Sequence, residues 1–271
     1  MIPWRIRTVR GPRCPLTARR RVIGSRDRRS RLAWSASSRA SRSLARRDRA
    51  CSSSRAGLGR SRSRRGAALV EGRSRVTRVE LQHGGFLLFH DPFLSPDEAS
   101  AAFAALLVEV PLRQETIRLF GKSILQPRLS AWHGDPGASY TYSGLSLLPH
   151  PWTPALSVLR ARVEEAAACT FNSVLVNHYR GGDDSMGKHS DDEPELGQDP
   201  VIASLSLGAR RRFVLEPKKG GEKVTLELGE GNLLIMAGTT QHHYRHGVPK
   251  QAGRGARMNL TFRRICGVTR P

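Results

Sequence analysis

Arg257-Met258-Asn259-Leu260-Thr261-Phe262-Arg263 alternates polar and apolar residues without a break. Side chains at i and i+2 of a strand share a face, so Arg257, Asn259, Thr261 and Arg263 point one way and Met258, Leu260 and Phe262 the other. An edge strand with one solvated face would read the same way. A strand inside a roll is instead buried on both faces, and two inward guanidiniums are costly there unless an anion meets them. A small dicarboxylate satisfies both, because the planar fork of arginine binds a carboxylate through two parallel hydrogen bonds.

Upstream of that strand, short apolar runs recur between turn residues, at 171–179, 201–207, 213–215, 224–228 and 233–236. Residues 218–223, Lys-Lys-Gly-Gly-Glu-Lys, form a hairpin tip. Further upstream the period changes. Phe86-Leu87-Leu88-Phe89-His90 reads as a strand, and Ser95-Pro96-Asp97-Glu98 supplies an N-cap, a proline at the first helical position and a capping-box acid. Phe103, Leu106, Leu107 and Val110 follow at helical spacing until Pro111. A second helix starts at Thr153-Pro154, turns Leu156, Leu159, Val163 and Ala167 to one side, and ends near Cys169. Residues 111–152 between the helices read as hairpins and loops. Two helices followed by about eight short strands predict an α+β, mainly β fold: a double-sheet roll with helices packed on one side.

The charge is concentrated outside this region. Of 271 residues, the first 78 hold 24 Arg, 13 Ser and three acids, a net +21, whereas residues 79–271 hold 21 basic and 20 acidic groups, a net +1. Residues 1–78 have too little apolar content to offset the entropy of ordering and are expected to be disordered, leaving one domain at 79–271. Three readings of the tail stay open. It is an arm attracted to nucleic acid, an organelle transit peptide, or upstream DNA read as protein before the true start codon, which weighs most. No run of 18 apolar residues is present, so no membrane partner is expected. Cys14, Cys51, Cys169 and Cys266 are far apart with no C-x-x-C pair, which argues against a disulfide framework or a zinc ribbon and fits a reducing compartment.

His189-Ser190-Asp191 places an imidazole and a carboxylate on one side of an extended backbone. One more histidine completes a two-His-one-carboxylate set, which suits non-haem Fe(II) and leaves positions open. Nine histidines and ten aspartates make a chance H-x-D about one in three, and a second one exists at His133-Gly134-Asp135. Gly134 and Pro136 around that pair read as a surface turn. The third ligand is available at His242, His243 or His246. His246, in Tyr244-Arg245-His246-Gly247-Val248-Pro249, is favoured by the alternating strand that follows it, and the other two read as exposed or supporting residues. On the strand ending Asn177-His178-Tyr179, Asn177 and Tyr179 face one way, and His178 faces the other in a structural role.

Together these residues resemble the AlkB family of Fe(II)- and 2-oxoglutarate-dependent dioxygenases from about Phe86 to Ile265. The resemblance lies in N-x-Y (Asn177, Tyr179), H-x-D-D-E (His189 to Glu193), S-L-S-L-G (Ser204 to Gly208), H-G-V-P (His246 to Pro249) and R-x-N-x-T-x-R (Arg257 to Arg263). It implies a double-stranded β-helix (jelly-roll) core, with His189, Asp191 and His246 as ligands of Fe(II). It further implies that Asn177, Tyr179, Arg257, Asn259, Thr261 and Arg263 hold 2-oxoglutarate, Arg257 at the distal carboxylate and Arg263 near the end that chelates iron. O2 is the second cosubstrate. The implied reaction is oxidative demethylation of N-alkylated DNA bases such as 1-methyladenine and 3-methylcytosine, releasing succinate, CO2 and formaldehyde.

Phe120-Gly121-Lys122, Pro127-Arg128 and Tyr140-Thr141-Tyr142-Ser143-Gly144 are similar to the substrate-recognition hairpins of the duplex-repair branch. The resemblance implies that Phe120 wedges into the base stack, that Tyr142 and His189 sandwich a flipped base, and that Gly121, Lys122, Arg128, Tyr140 and Glu193 lie on the substrate side. Asp192 would accept from an exocyclic amine or fix Arg128. The run Arg210-Arg211-Arg212 reads equally as a solvated turn or a phosphate clamp. Alkylated DNA, duplex or single-stranded, is the implied partner of a monomeric protein. The implied location is the nucleoid or cytoplasm of a bacterium or the nucleus of a eukaryote, with an organelle if the tail is a transit peptide. An oxygenase acting on RNA or protein, and a non-catalytic nucleic-acid-binding module, are the competing readings.

Overall fold

Two proline-led helices and a series of short antiparallel strands form the computed structural model, which describes residues 75–119, 122–138, 140–142 and 145–266. In chain order come β1 (Arg75–Glu80), β2 (Phe86–Asp91), α1 (Pro96–Glu109), β3 (Thr116–Leu119), β4 (Lys122–Leu125), β5 (Leu129–Gly134), β6 (Tyr140–Tyr142), β7 (Leu145–Leu147) and α2 (Pro154–Ala167). Then follow β8 (Ser173–Tyr179), β9 (Met186–His189), β10 (Ile202–Gly208), β11 (Arg211–Pro217), β12 (Val224–Leu228), β13 (Asn232–Ala237), α3 (Thr240–His243), β14 (Tyr244–Val248) and β15 (Arg257–Arg263).

The helices start where their caps are. Ser95 Oγ accepts from the Glu98 N–H at 3.3 Å while the Ser95 N–H donates to Glu98 Oε2 at 2.8 Å, a complete capping box. Thr153 Oγ1 accepts from the Leu156 N–H at 3.3 Å. Ser95→Ala removes one cap acceptor and should cost about 1 kcal/mol, read as a fall of roughly 2–4 °C in the thermal midpoint. α2 buries Leu156, Leu159 and Val163 as its spacing predicts. Leu106 of α1 and Val110 at its C-cap are buried, but Leu107 is 45 % exposed, because it lies at the margin of the stripe.

β15 lies inside a seven-stranded sheet ordered β1-β2-β13-β10-β15-β8-β5, between β10 and β8, and a four-stranded sheet is ordered β12-β11-β14-β9. Both faces of the larger sheet are covered. Met258, Leu260 and Phe262 of β15 join Leu233 and Ile235 of β13 and the apolar stripes of α1 and α2 in one cluster. Leu234 and Met236 of β13 turn the other way and pack with Phe213, Leu215 and Val248 of the smaller sheet. This is the jelly-roll arrangement expected, with both long helices packed against one side of the larger sheet. The polar face of β15 is thus enclosed between sheets: Arg257 is 1 % exposed, and Asn259 and Thr261 are also buried.

Some details differ from the sequence reading. β1 begins at Arg75, so residues 75–78, assigned by composition to the tail, are strand; residues 1–74 lie outside the described residues. His133 is no surface turn. It is a buried residue of β5 paired with Val174, its Nδ1 lies 2.6 Å from the Pro151 carbonyl, and Asp135 beyond it pairs with Arg160 and accepts from Trp152 Nε1. Among the described residues, no helix is long and apolar enough to cross a membrane.

Candidate metal centre

β9 and β14 bring two histidines together. They pair antiparallel with His246 opposite His189, and the ring centroids are 4.4 Å apart. The register shifts between His246 and Val248, and Gly247 stands at that irregularity. A Cβ on Gly247 would meet the Met186 carbonyl at 2.8 Å, so a side chain there forces the strands apart. Gly247→Ala should therefore part the two histidines and weaken divalent-metal binding, read by metal titration of the folded protein.

Asp191 completes the group. Donor atoms of His189, Asp191 and His246 all lie within 4.8 Å of one another. His189 Nε2 is 3.9 Å from Asp191 Oδ1, and His246 Nε2 is 3.8 Å from Asp191 Oδ2. The segment between the ligands is tied to the neighbouring elements. Ser190 Oγ donates to the Tyr244 carbonyl at 2.8 Å, and the Asp191 N–H donates to Gln241 Oε1 at 3.0 Å. Gln241, wholly buried on α3, is a supporting residue that the sequence reading missed. Its one signal is its place five residues before His246. Gln241→Ala leaves the Asp191 N–H unpaired and should weaken metal binding roughly 10–100-fold, as loss of an outer-shell partner does.

The charges suit a cation. Burial alone would raise the Asp191 carboxyl, but Arg263, His246 and His189 outweigh it and hold it at about 2. Burial and the neighbouring His189 push His246 down to about 3, against the opposing pull of Asp191, so its imidazole is neutral. Arg263 Nη2 donates to Asp191 Oδ1 at 2.7 Å, which orients the carboxylate, while the buried Oδ2 has no hydrogen-bond partner. A buried carboxylate oxygen left this way is costly. The neutral imidazole of His246, the imidazole of His189, one carboxylate and an unsatisfied oxygen fit Fe(II), and the half-buried His189 keeps one side open.

A cavity beside these ligands is lined by Tyr179, Phe213, Met236, Asn259, Thr261 and Arg263. One step along the same face of β15, Arg257 donates from Nη2 to Ser206 Oγ at 2.8 Å and lies 5.2 Å from the Tyr179 ring centroid. Its Nε and Nη1 are buried without partners, and burial lowers its pKa. A guanidinium in this state is matched by an anionic ligand. Asn259 donates to Ser204 Oγ at 2.8 Å and the Leu205 carbonyl at 3.1 Å and accepts from Thr261 Oγ1 at 3.2 Å, so it braces this wall. Asn177 Oδ1 accepts from Arg128 Nε at 2.8 Å.

The substrate-side expectations fare unevenly. Asp192 does not fix Arg128: it pairs with Lys218 at 2.7 Å, while Arg128 is held by Asn177 on the neighbouring strand. Glu193 is half-buried just before a 3-10 turn at Pro194–Leu196. Phe120 and Gly121 lie outside the described residues, and Lys122, Tyr140 and Tyr142 are described in their backbone alone, within the hairpins β3–β4 and β6–β7. Arg211 is neither solvated nor a phosphate clamp, being fully buried, whereas Arg210 pairs with Glu230 at the surface. His242 pairs with Asp199 and His243 lies against His83 with tilted rings 4.4 Å apart, and neither belongs to the three-ligand group.

Comparison with known proteins places these residues in a family context. The model of the 2OG-Fe(II) oxygenase superfamily matches residues 85–263. "Alpha-ketoglutarate-dependent dioxygenase alkB homolog 3" of Homo sapiens is 44% identical over 184 residues, covering 64% of this chain and 64% of that protein. "DNA oxidative demethylase ALKBH2" of Mus musculus is 44% identical over 158 residues, covering 55% of this chain and 66% of its own. The protein of the same name from Arabidopsis thaliana is 34% identical over 215 residues, covering 69% of this chain and 68% of its own. The chain thus spans just under two thirds of the length of the mammalian relatives.

Proposed function

Because the chain belongs to the AlkB family of the 2OG-Fe(II) oxygenase superfamily, we propose that it repairs DNA by oxidative demethylation of N-alkylated bases, 1-methyladenine and 3-methylcytosine among them. The observation that carries this reading is a pair of buried charged groups with polar atoms left unsatisfied. Asp191 Oδ2 lacks a partner among the three ligands, and Arg257 Nε and Nη1 lack partners on the face of β15 that runs to it. A ferrous ion satisfies the first and the distal carboxylate of 2-oxoglutarate the second. When bound, iron with 2-oxoglutarate and O2 supplies the oxidation that turns an N-methyl group into formaldehyde, with succinate and CO2 as co-products.

The chain's own residues do the rest. His189, Asp191 and His246 hold the ion, and Arg263 fixes the carboxylate rotamer and offers charge near the chelating end of the cosubstrate. Arg257 anchors the far carboxylate, with Tyr179 and Thr261 beside it, and Asn177 is steadied by Arg128. Phe213, Met236 and Val248 keep water out, which strengthens these charge contacts. The half-exposed His189 faces the side from which a base enters, where Asp192 is within reach of an exocyclic amine once Lys218 releases it.

The relatives named as DNA oxidative demethylases support DNA as the substrate class and the nucleus or nucleoid as the place of action. The catalytic domain in this reading begins with β1 at Arg75. The test is succinate and formaldehyde release from 3-methylcytosine in duplex DNA, single-stranded DNA and RNA, with a no-substrate control. Equal amounts of both products from methylated DNA are expected. Succinate without formaldehyde from any methylated nucleic acid would overturn the repair reading.

A further inference from the structure

Arg211, on β11, is a second buried guanidinium in the same neighbourhood, with no role assigned above. Its Nη1 donates to the Gly181 carbonyl at 2.8 Å, and its Nη2 to the carbonyls of Asp184 at 2.8 Å, Pro249 at 2.9 Å and Gly182 at 3.4 Å. All four acceptors are neutral, and Nε has no partner. Asp184, the carboxylate whose charge reaches it, is already forked by Arg180 through two 2.9 Å bonds. The guanidinium carbon of Arg211 is 5.8 Å from the Tyr179 ring centroid, against 5.2 Å for Arg257. Two cations that exchange no carboxylate therefore share one phenol ring, and the charge of Arg211 adds to the burial that already disfavours the ionised form of Arg257.

We infer that Arg211 is a specificity-determining residue for the cosubstrate, raising the pocket's preference for a dianionic over a monoanionic 2-oxo acid by its charge, without touching the ligand. The two side chains divide the task. Arg257 offers unpaired N–H groups to the distal carboxylate, and Arg211, whose donors are mostly spent on backbone carbonyls, contributes field. Guanidiniums that both lie within 6 Å of one ring are no more than about 11 Å apart, a range over which a unit charge in a protein interior changes an affinity by about tenfold. The inference rests on the proposed use of 2-oxoglutarate.

The experiment is a calorimetric titration of the full chain loaded with Mn(II), which avoids turnover, using 2-oxoglutarate and 2-oxopentanoate, whose chain ends in methyl instead of carboxylate. Wild type should prefer 2-oxoglutarate. Arg211→Met should cut that preference about tenfold, and Arg211→Lys, which keeps the charge but loses the four-carbonyl fork, should keep it within about threefold. A purely structural clamp instead weakens both ligands alike in either variant, so that the preference survives even in Arg211→Met. If the methionine variant does not fold, Arg211→Gln, which keeps polar donors but not the charge, takes its place with the same expected loss of preference. An undiminished preference in Arg211→Met, or a collapsed one in Arg211→Lys, overturns this inference alone. A wild-type protein that binds neither keto acid overturns the cosubstrate reading along with it.

Discussion

Asp191→Ala should reduce succinate formation to background and lower metal affinity by more than the roughly 10–100-fold typical of outer-shell changes. The substitution removes one of three ligands and also one partner of Arg263, whose 2.7 Å bond to Asp191 is then lost in a nearly closed site. His189→Ala and His246→Ala should silence turnover too, but for different reasons. His189 is half-buried and contacts the open side, so its loss should spare folding. His246 is stacked on Phe213 at 5.3 Å and its loss opens a gap in the inter-sheet core. The control is the other H-x-D. His133→Ala should keep metal binding and turnover, yet lower stability by about 1–3 kcal/mol, because it empties a buried position hydrogen-bonded to Pro151. Metal titration beside a denaturant curve separates the two effects.

Arg257→Leu should show two effects of opposite sign. Affinity for 2-oxoglutarate should fall by about a hundredfold or more, the loss expected when a bidentate charge-assisted pair is removed from a buried site. Stability without cosubstrate should stay level or rise, since a cation with two unpartnered N–H groups is replaced by an apolar side chain of similar bulk. Few structural residues give that pattern: a bracing side chain lowers stability when removed. Binding measured by titration and stability measured by urea unfolding, on the same preparation, would show both. A variant that loses stability and keeps its 2-oxoglutarate affinity would assign Arg257 to the scaffold instead.

The parts of the fold carried by local chemistry were readable from the residues themselves. Ser95-Pro96-Asp97-Glu98 specifies a capping box without help from the rest of the chain, and Arg257–Arg263 alternates because its two faces meet different layers. The enclosed polar face of that strand followed from assuming a roll, and the covering sheets bear it out. What depends on distant pairing was harder to read. β9, Met186–His189, and β14, Tyr244–Val248, are short, contain glycine and carry no apolar alternation, and each is held as a strand by its partners. His133 looked like a turn because Gly134 and Pro136 flank it, but β8 pairs along β5 as far as Gly134 and buries it. Arg211 stands between a half-buried and an exposed arginine, and nothing in an Arg-Arg-Arg run tells which one β11 turns inward. Gln241 and Lys218 likewise acquire their partners only when α3 and the end of β11 close over the loop that carries Asp191.

The most direct test of a single shared cavity is thermodynamic linkage between the ion and the keto acid, measured on the full chain without oxygen. Fe(II) is titrated with and without 2-oxoglutarate, and 2-oxoglutarate with and without Fe(II). One site that holds both requires that each raise the other's affinity by the same factor, here at least about tenfold. Equal affinities for 2-oxoglutarate in the presence and absence of the ion would mean that Arg257 and the three metal ligands serve separate sites, and would contradict the account.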